Sequence, residues 1–150
     1  MPIDDSGRIA GGATNVSHLS SSDDPLEVRD GVAVLHPRGK LSLVEATDLV
    51  SQAIGTCRER HIAQLLVDSR DIVDLPIPSL IDRFLMAEDW AHAARGQVHV
   101  SLVASPEYVH PQKFGVAVAT KLGLTCNVHT SREEAQAWLA AVRGERAAGG

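Results

Sequence analysis

An α/β domain with a mixed, mostly parallel sheet of about five strands and four helices, in the order β-β-α-β-α-β-α-β-α, is the fold class this chain predicts. Three observations carry it. Short strand-like runs recur, and the one from Ile62 to Val67, almost continuously apolar, has the character of a strand covered on both faces. Helix-forming stretches alternate with them. Asp30-Gly31 stands between the first two β-prone runs and accepts the positive φ values of a type I′ hairpin turn. Each strand-helix-strand unit should cross over right-handed, which leaves one antiparallel hairpin strand at the sheet edge.

Leu26 to Arg29 and Val32 to His36 form the hairpin. Ser42-x-x-Glu45 has capping-box spacing, and Ala46, Leu49, Val50, Ala53, Ile54 and Cys57 repeat at three and four, so a helix follows over about 43–60. After the strand at 62–67, the prolines Pro76 and Pro78 precede Ser79, which caps a second helix to about Ala94. Leu80, Phe84, Ala87, Ala91 and Ala94 are its expected inner stripe. The next strand is 98–104. Pro111 suits the first residue of a third helix, and Gly123 its left-handed end. A strand at 125–129 leads to a last helix capped by Ser131 with Glu134 three residues on. In that helix Ala135, Trp138, Leu139 and Val142 share one face.

The chain has 150 residues, 44% of them apolar and 22% charged, enough for one core without staples. Residues 1–25, with Gly11-Gly12, Ser20-Ser21-Ser22 and Asp23-Asp24-Pro25, read as a disordered tail, 26–142 as the domain and 143–150 as a second tail. The first tail carries Asp4, Asp5, Asp23 and Asp24 against Arg8, or -3 of the net -5, so the domain itself is nearly neutral at -2. Such a balance argues against a nucleic-acid binder, whose affinity comes from clustered Lys and Arg. Two cysteines, Cys57 and Cys126, make neither a disulfide framework nor a four-cysteine zinc site. No apolar run approaches a membrane span and no signal-like start is present, so a cytoplasmic location is expected.

Three stretches carry a family resemblance: Asp30 to Leu41, with its Gly39-Lys40-Leu41 step before helix one; Leu65 to Ile72, with Val67-Asp68 at a strand end; and Arg132 to Leu139, an acidic helix entry with Trp138-Leu139. They resemble the STAS superfamily, the SpoIIAA-like bacterial anti-sigma-factor antagonists, which lie close to lipid-binding domains. The resemblance implies a regulatory protein-binding module with no catalytic signature. Antagonists of that family have an Asp-Ser-Ser-Gly segment before helix two, where serine phosphorylation switches binding. Leu75-Pro76-Ile77-Pro78-Ser79-Leu80 stands there instead, leaving Ser79 as the single candidate phosphoswitch, with helix capping its simpler explanation.

Ligands of open α/β sheets bind outside the carboxyl ends of the strands. Those ends supply Asp68, Ser69 and Arg70, then His110, then His129, with Arg38 after the hairpin, a rim that would hold an anion between Arg38, Arg70 and His129. Ordinary loop polarity is the competing reading. Seven histidines are present, but none has metal-ligand spacing, and no nucleophile elbow or phosphate-binding glycine loop occurs. Neither an enzyme nor a cofactor is expected. Helix two carries apolar residues beyond its inner stripe, Leu85, Met86 and Trp90, which mark an interaction face for a protein partner or a second copy. The alternative is a small carrier or sensor that encloses a lipid-like or other apolar ligand between sheet and helices, which would need a cavity of several hundred Å³.

Overall fold

The computed structural model describes residues 26–149, and side chains as far as residue 144; the tail expected over 1–25 lies outside them. The elements are β1 (Leu26–Arg29), β2 (Val32–Leu35), β3 (Gly39–Lys40), α1 (Leu43–Glu59), β4 (Gln64–Asp68), β5 (Ile72–Val73), α2 (Leu80–Ala94), β6 (His99–Val103), a 3-10 turn (Pro106–Tyr108), α3 (Phe114–Lys121), β7 (Cys126–His129) and α4 (Arg132–Gly149). The five-stranded sheet runs β1-β2-β4-β6-β7. Only β1 is antiparallel to its neighbour; β2, β4, β6 and β7 pair in parallel. The α/β class and the hairpin edge are as the sequence predicts.

Local chemistry accounts for the boundaries. Asp30 and Gly31 have φ of 53° and 80°, so both hairpin positions are left-handed, as a type I′ turn requires. Ser42 closes a capping box with Glu45: its hydroxyl accepts from Glu45 N at 3.1 Å and its own N–H donates to Glu45 Oε1 at 2.9 Å. β4 is buried along its whole length. A helix on each side of the sheet explains that. Leu65, Val67 and Val100 point into a large core with Val50, Ile54, Ala87, Trp90 and Ala119, whereas Leu66 and Val103 point into a small one with Ala135 and Leu139. The first core lies under α1, α2 and α3. The second lies under α4 alone.

Three expectations need correction, and one short element goes unpredicted. The third helix begins at Phe114, not Pro111, because Lys113 has φ 49° and cannot continue a right-handed turn; Gly123 does end it, at φ 88°. The last helix continues through 143–149, which were expected to be a tail. Arg143 explains its start there: the guanidinium donates to Gln64 Oε1 at 2.9 Å, and the residues beyond include good helix formers. A two-stranded parallel ladder of β3 and β5 follows the hairpin, an element too short to leave a pattern. Finally, α2 is rotated relative to the expected phase. Its inward stripe contains Arg83, Ala87, Trp90 and Ala94, whereas Leu80 and Phe84 are 52% and 41% exposed.

That rotation moves Trp90 off the expected interaction face. Trp90 is 5% exposed and its indole Nε1–H donates to Thr47 O of α1 at 3.1 Å. A buried indole gains most where its N–H finds an acceptor. Ala87 and Ala94 leave room beside it, and the ring packs into the large core with Val50, Ile54 and Val67.

Candidate functional site

Three arrangements surround the carboxyl ends of the parallel strands. On the α4 side, Asp68 at the end of β4 is 2% exposed and anchors two arginines. Arg70 donates Nε to Oδ1 at 2.9 Å and Nη2 to Oδ2 at 2.8 Å, and Arg132 donates Nε to Oδ2 at 2.8 Å. Burial alone would raise the Asp68 pKa, but the hydrogen bonds from Arg70 and Arg132 outweigh it and hold the carboxyl well below the usual range. Arg70 is thereby committed to an internal carboxylate.

The other rim residues are held separately. Arg38 Nη2 donates to His36 Nδ1 at 3.2 Å, and His36 Nε2 faces Asp71 Oδ2 at 2.7 Å, which places the neutral ring's proton on Nε2. His129 lies 3.1 Å by Nδ1 from Ser101 Oγ and packs against Trp138 at a ring distance of 5.9 Å. Burial first, and Lys113 second, push its pKa down. Ser101 is fully buried, so this Ser-His contact has no access to substrate. Arg38, Arg70 and His129 therefore each serve a different internal partner instead of framing one anion. Among the described residues no three His, Cys, Asp or Glu gather as a metal site.

On the opposite side of the sheet, Ser69 and His110 border a cavity of about 140 Å³ under α1, α2 and α3. Its deep wall is Val50, Val67, Ala87, Trp90, Ala119 and Cys126, all buried, and its half-buried rim includes Arg83, Tyr108, His110 and Lys113. The rim is built from the loops: Tyr108 OH donates to Leu75 O at 2.6 Å, Arg83 Nη1 donates to Tyr108 O at 3.1 Å, and Lys113 Nζ donates to Asn127 Oδ1 at 2.9 Å. Ser69 Oγ donates to Val103 O at 2.9 Å. Cys126 is a poor nucleophile, since burial pushes its thiol up to about 12.

Outside the cavity, α2 turns a row of large apolar groups to solvent. Leu80, Ile81, Phe84 and Leu85 are 41–71% exposed, and Ile77 just before the helix is 56% exposed. Residues 80 and 84, 81 and 84, and 81 and 85 are surface neighbours at spacings of three and four. Beside them a groove of about 510 Å³ separates α1 from α2, with Leu43, Val44, Leu85 and Met86 among its apolar walls and Asp48, Asp82, Glu88 and Asp89 around them. No Lys or Arg lines that groove. Of the expected interaction residues, Leu85 lies here, Met86 is half-buried and borders both groove and cavity, and Trp90 is interior. Ser79 caps α2: its Oγ accepts from Asp82 N at 3.1 Å while Asp82 Oδ2 accepts from Ser79 N at 2.9 Å. A phosphate there would meet the Asp82 carboxylate.

No family model and no curated protein matches the chain. Among solved structures, the NMR structure of the protein TM1081 is similar over 84% of this chain and 95% of that one, with 15% identity and a TM-score of 0.43. No helix among the described residues is long and apolar enough to cross a membrane.

Arg83 and Lys113 escaped the sequence reading as site residues, as did Ile77 and Ile81. A signal for Arg83 was present: it shares the 83-87-90-94 stripe with Trp90 once that indole is assigned inward. Lys113 had none, because its place depends on a left-handed turn at an ordinary residue.

Proposed function

We propose that this chain is a non-enzymatic regulatory module, of the kind its resemblance to anti-sigma-factor antagonists implies, that docks a protein partner on the outer face of α2. The observation that carries this reading is the row Ile77, Leu80, Ile81, Phe84 and Leu85, each 41–71% exposed within nine residues of chain. Contiguous apolar surface of this sort costs solubility unless something covers it. The groove beside it has four carboxylates and no Lys or Arg, so the partner that fits is an amphipathic segment with an apolar stripe and basic flanks. A second copy of the chain fits less well, because the two acidic grooves would repel.

Chemistry by the serines and histidines has little support: Ser69 and Ser101 are bonded to internal partners and Ser101 has no exposure. Carriage of a long lipid chain is disfavoured by volume, since about 140 Å³ is below the ~300–1,000 Å³ of common ligand pockets.

The test compares wild type with the I81D/F84D double variant as immobilised bait in extract of the native host. A discrete basic protein held by wild type and lost at least ~10-fold from the variant supports the reading, about 1.4 kcal/mol of docking energy. Identical retention by both would overturn it.

A further inference from the structure

The cavity beneath α2 combines two features that ordinary core packing does not. Helix-on-sheet layers close to crystal-like density and leave few voids larger than a water, yet Ala87, Gly115 and Ala119 leave about 140 Å³ open against the Trp90 ring and the Val67 side chain. Its rim is also electrically one-sided. Arg83 and Lys113 both line it, and no Asp or Glu does. Both cations rest on neutral oxygens, Arg83 on Tyr108 O at 3.1 Å and Lys113 on Asn127 Oδ1 and Val128 O at 2.9 and 3.1 Å. Among the described residues neither has an ion-pair partner. The contrast lies across the sheet, where Arg70 and Arg132 both pair with Asp68.

We propose that this cavity binds a small amphipathic carboxylate, its apolar body against Ala87, Trp90 and Ala119 and its carboxylate on Arg83 and Lys113. Size limits the body. An apolar cavity of ~150 Å³ accepts a benzene ring, so an aromatic ring or a chain of about six to eight carbons fits and a long acyl chain does not. A carboxylate at the rim would accept from the guanidinium and ammonium protons left over by the carbonyls, giving ion-paired hydrogen bonds where the cations now meet only neutral oxygens. The site is independent of the docking reading, because none of Ile77, Leu80, Ile81, Phe84 and Leu85 lines it.

The experiment is titration of the full chain with phenylacetate, octanoate, benzyl alcohol and hexadecanoate, followed by calorimetry and by amide NMR shifts. Phenylacetate or octanoate should bind, with shifts at Ala87, Gly115 and Ala119. Benzyl alcohol should bind at least ~10-fold more weakly, and R83Q and K113Q should each weaken the carboxylate ~10-fold, the loss of one charged hydrogen bond. Ala119→Leu, which fills the cavity, should abolish binding while the protein still melts cooperatively; if that variant does not fold, Ala87→Val serves in its place. Absence of shifts with millimolar phenylacetate and octanoate would overturn the proposal. So would equal affinity for benzyl alcohol, carboxylate binding unaffected by both R83Q and K113Q, or binding of hexadecanoate alone.

Discussion

Replacing Asp68 by Asn keeps the shape of the side chain and removes its charge, which isolates the ionic knot at the end of β4. Asp68 is 2% exposed and accepts three side-chain hydrogen bonds from two arginines. Breaking a fully buried pair costs ~3–5 kcal/mol. The Arg70 and Arg132 side chains are 40% and 35% exposed, so both can rehydrate, and a loss of about 2.5 kcal/mol is expected. For a domain of this size that lowers Tm by roughly 10 °C. The pH dependence has a definite sign. The folded carboxyl has a depressed pKa, so its stabilisation is complete above the unfolded value of ~3.9 and is lost as pH falls through the folded value. Urea and thermal denaturation of wild type and D68N should therefore differ by the full amount at pH ~6 and by less at pH ~3. Equal stability at pH ~6, or a gap that does not shrink on acidification, would refute the assignment of Asp68 as a charged anchor.

Further outcomes follow from other contacts. His129, held below its ordinary pKa chiefly by burial, packs on Trp138; acidification should quench Trp138 emission with a midpoint below ~6.5, and H129Q should abolish that titration. Because the neutral ring is favoured in the fold, wild type should also lose more stability than H129Q as pH drops through that midpoint. S79A should cost ~1 kcal/mol by urea denaturation through loss of the α2 cap, whereas S79D should retain most of it. I81D and F84D alter exposed positions, so each should change stability by no more than ~0.5 kcal/mol, which makes their effect on docking interpretable.

The order of elements was legible because its signals are local. The Asp30-Gly31 turn, the Ser42 and Ser79 caps, Gly123 and the Leu65-Leu66-Val67 run of β4 are each set by a few residues adjacent in sequence. What depends on packing was not legible. The phase of α2 depends on which of two apolar stripes turns inward: the sequence contains both Leu80-Phe84 and Trp90, and only the neighbouring α1, which offers the Thr47 carbonyl, selects Trp90. The same choice exposes Ile81 and Phe84 and brings Arg83 to the cavity rim. The sequence groups the strand-end polar residues as one rim, but alternation along β4 and β7 sends Asp68 and His129 to the α4 side and leaves Ser69 and His110 at the cavity. One-dimensional proximity cannot separate those two faces.

Photo-crosslinking inside the native host is the most direct check on α2 as a recognition surface. A photoreactive residue in place of Ile81 should yield one discrete adduct with a different protein, bearing a basic amphipathic segment, while the same probe in place of the exposed Gln136 on α4 should not. No adduct from position 81, an adduct only with a second copy of this chain, or the same adducts from both positions would contradict it.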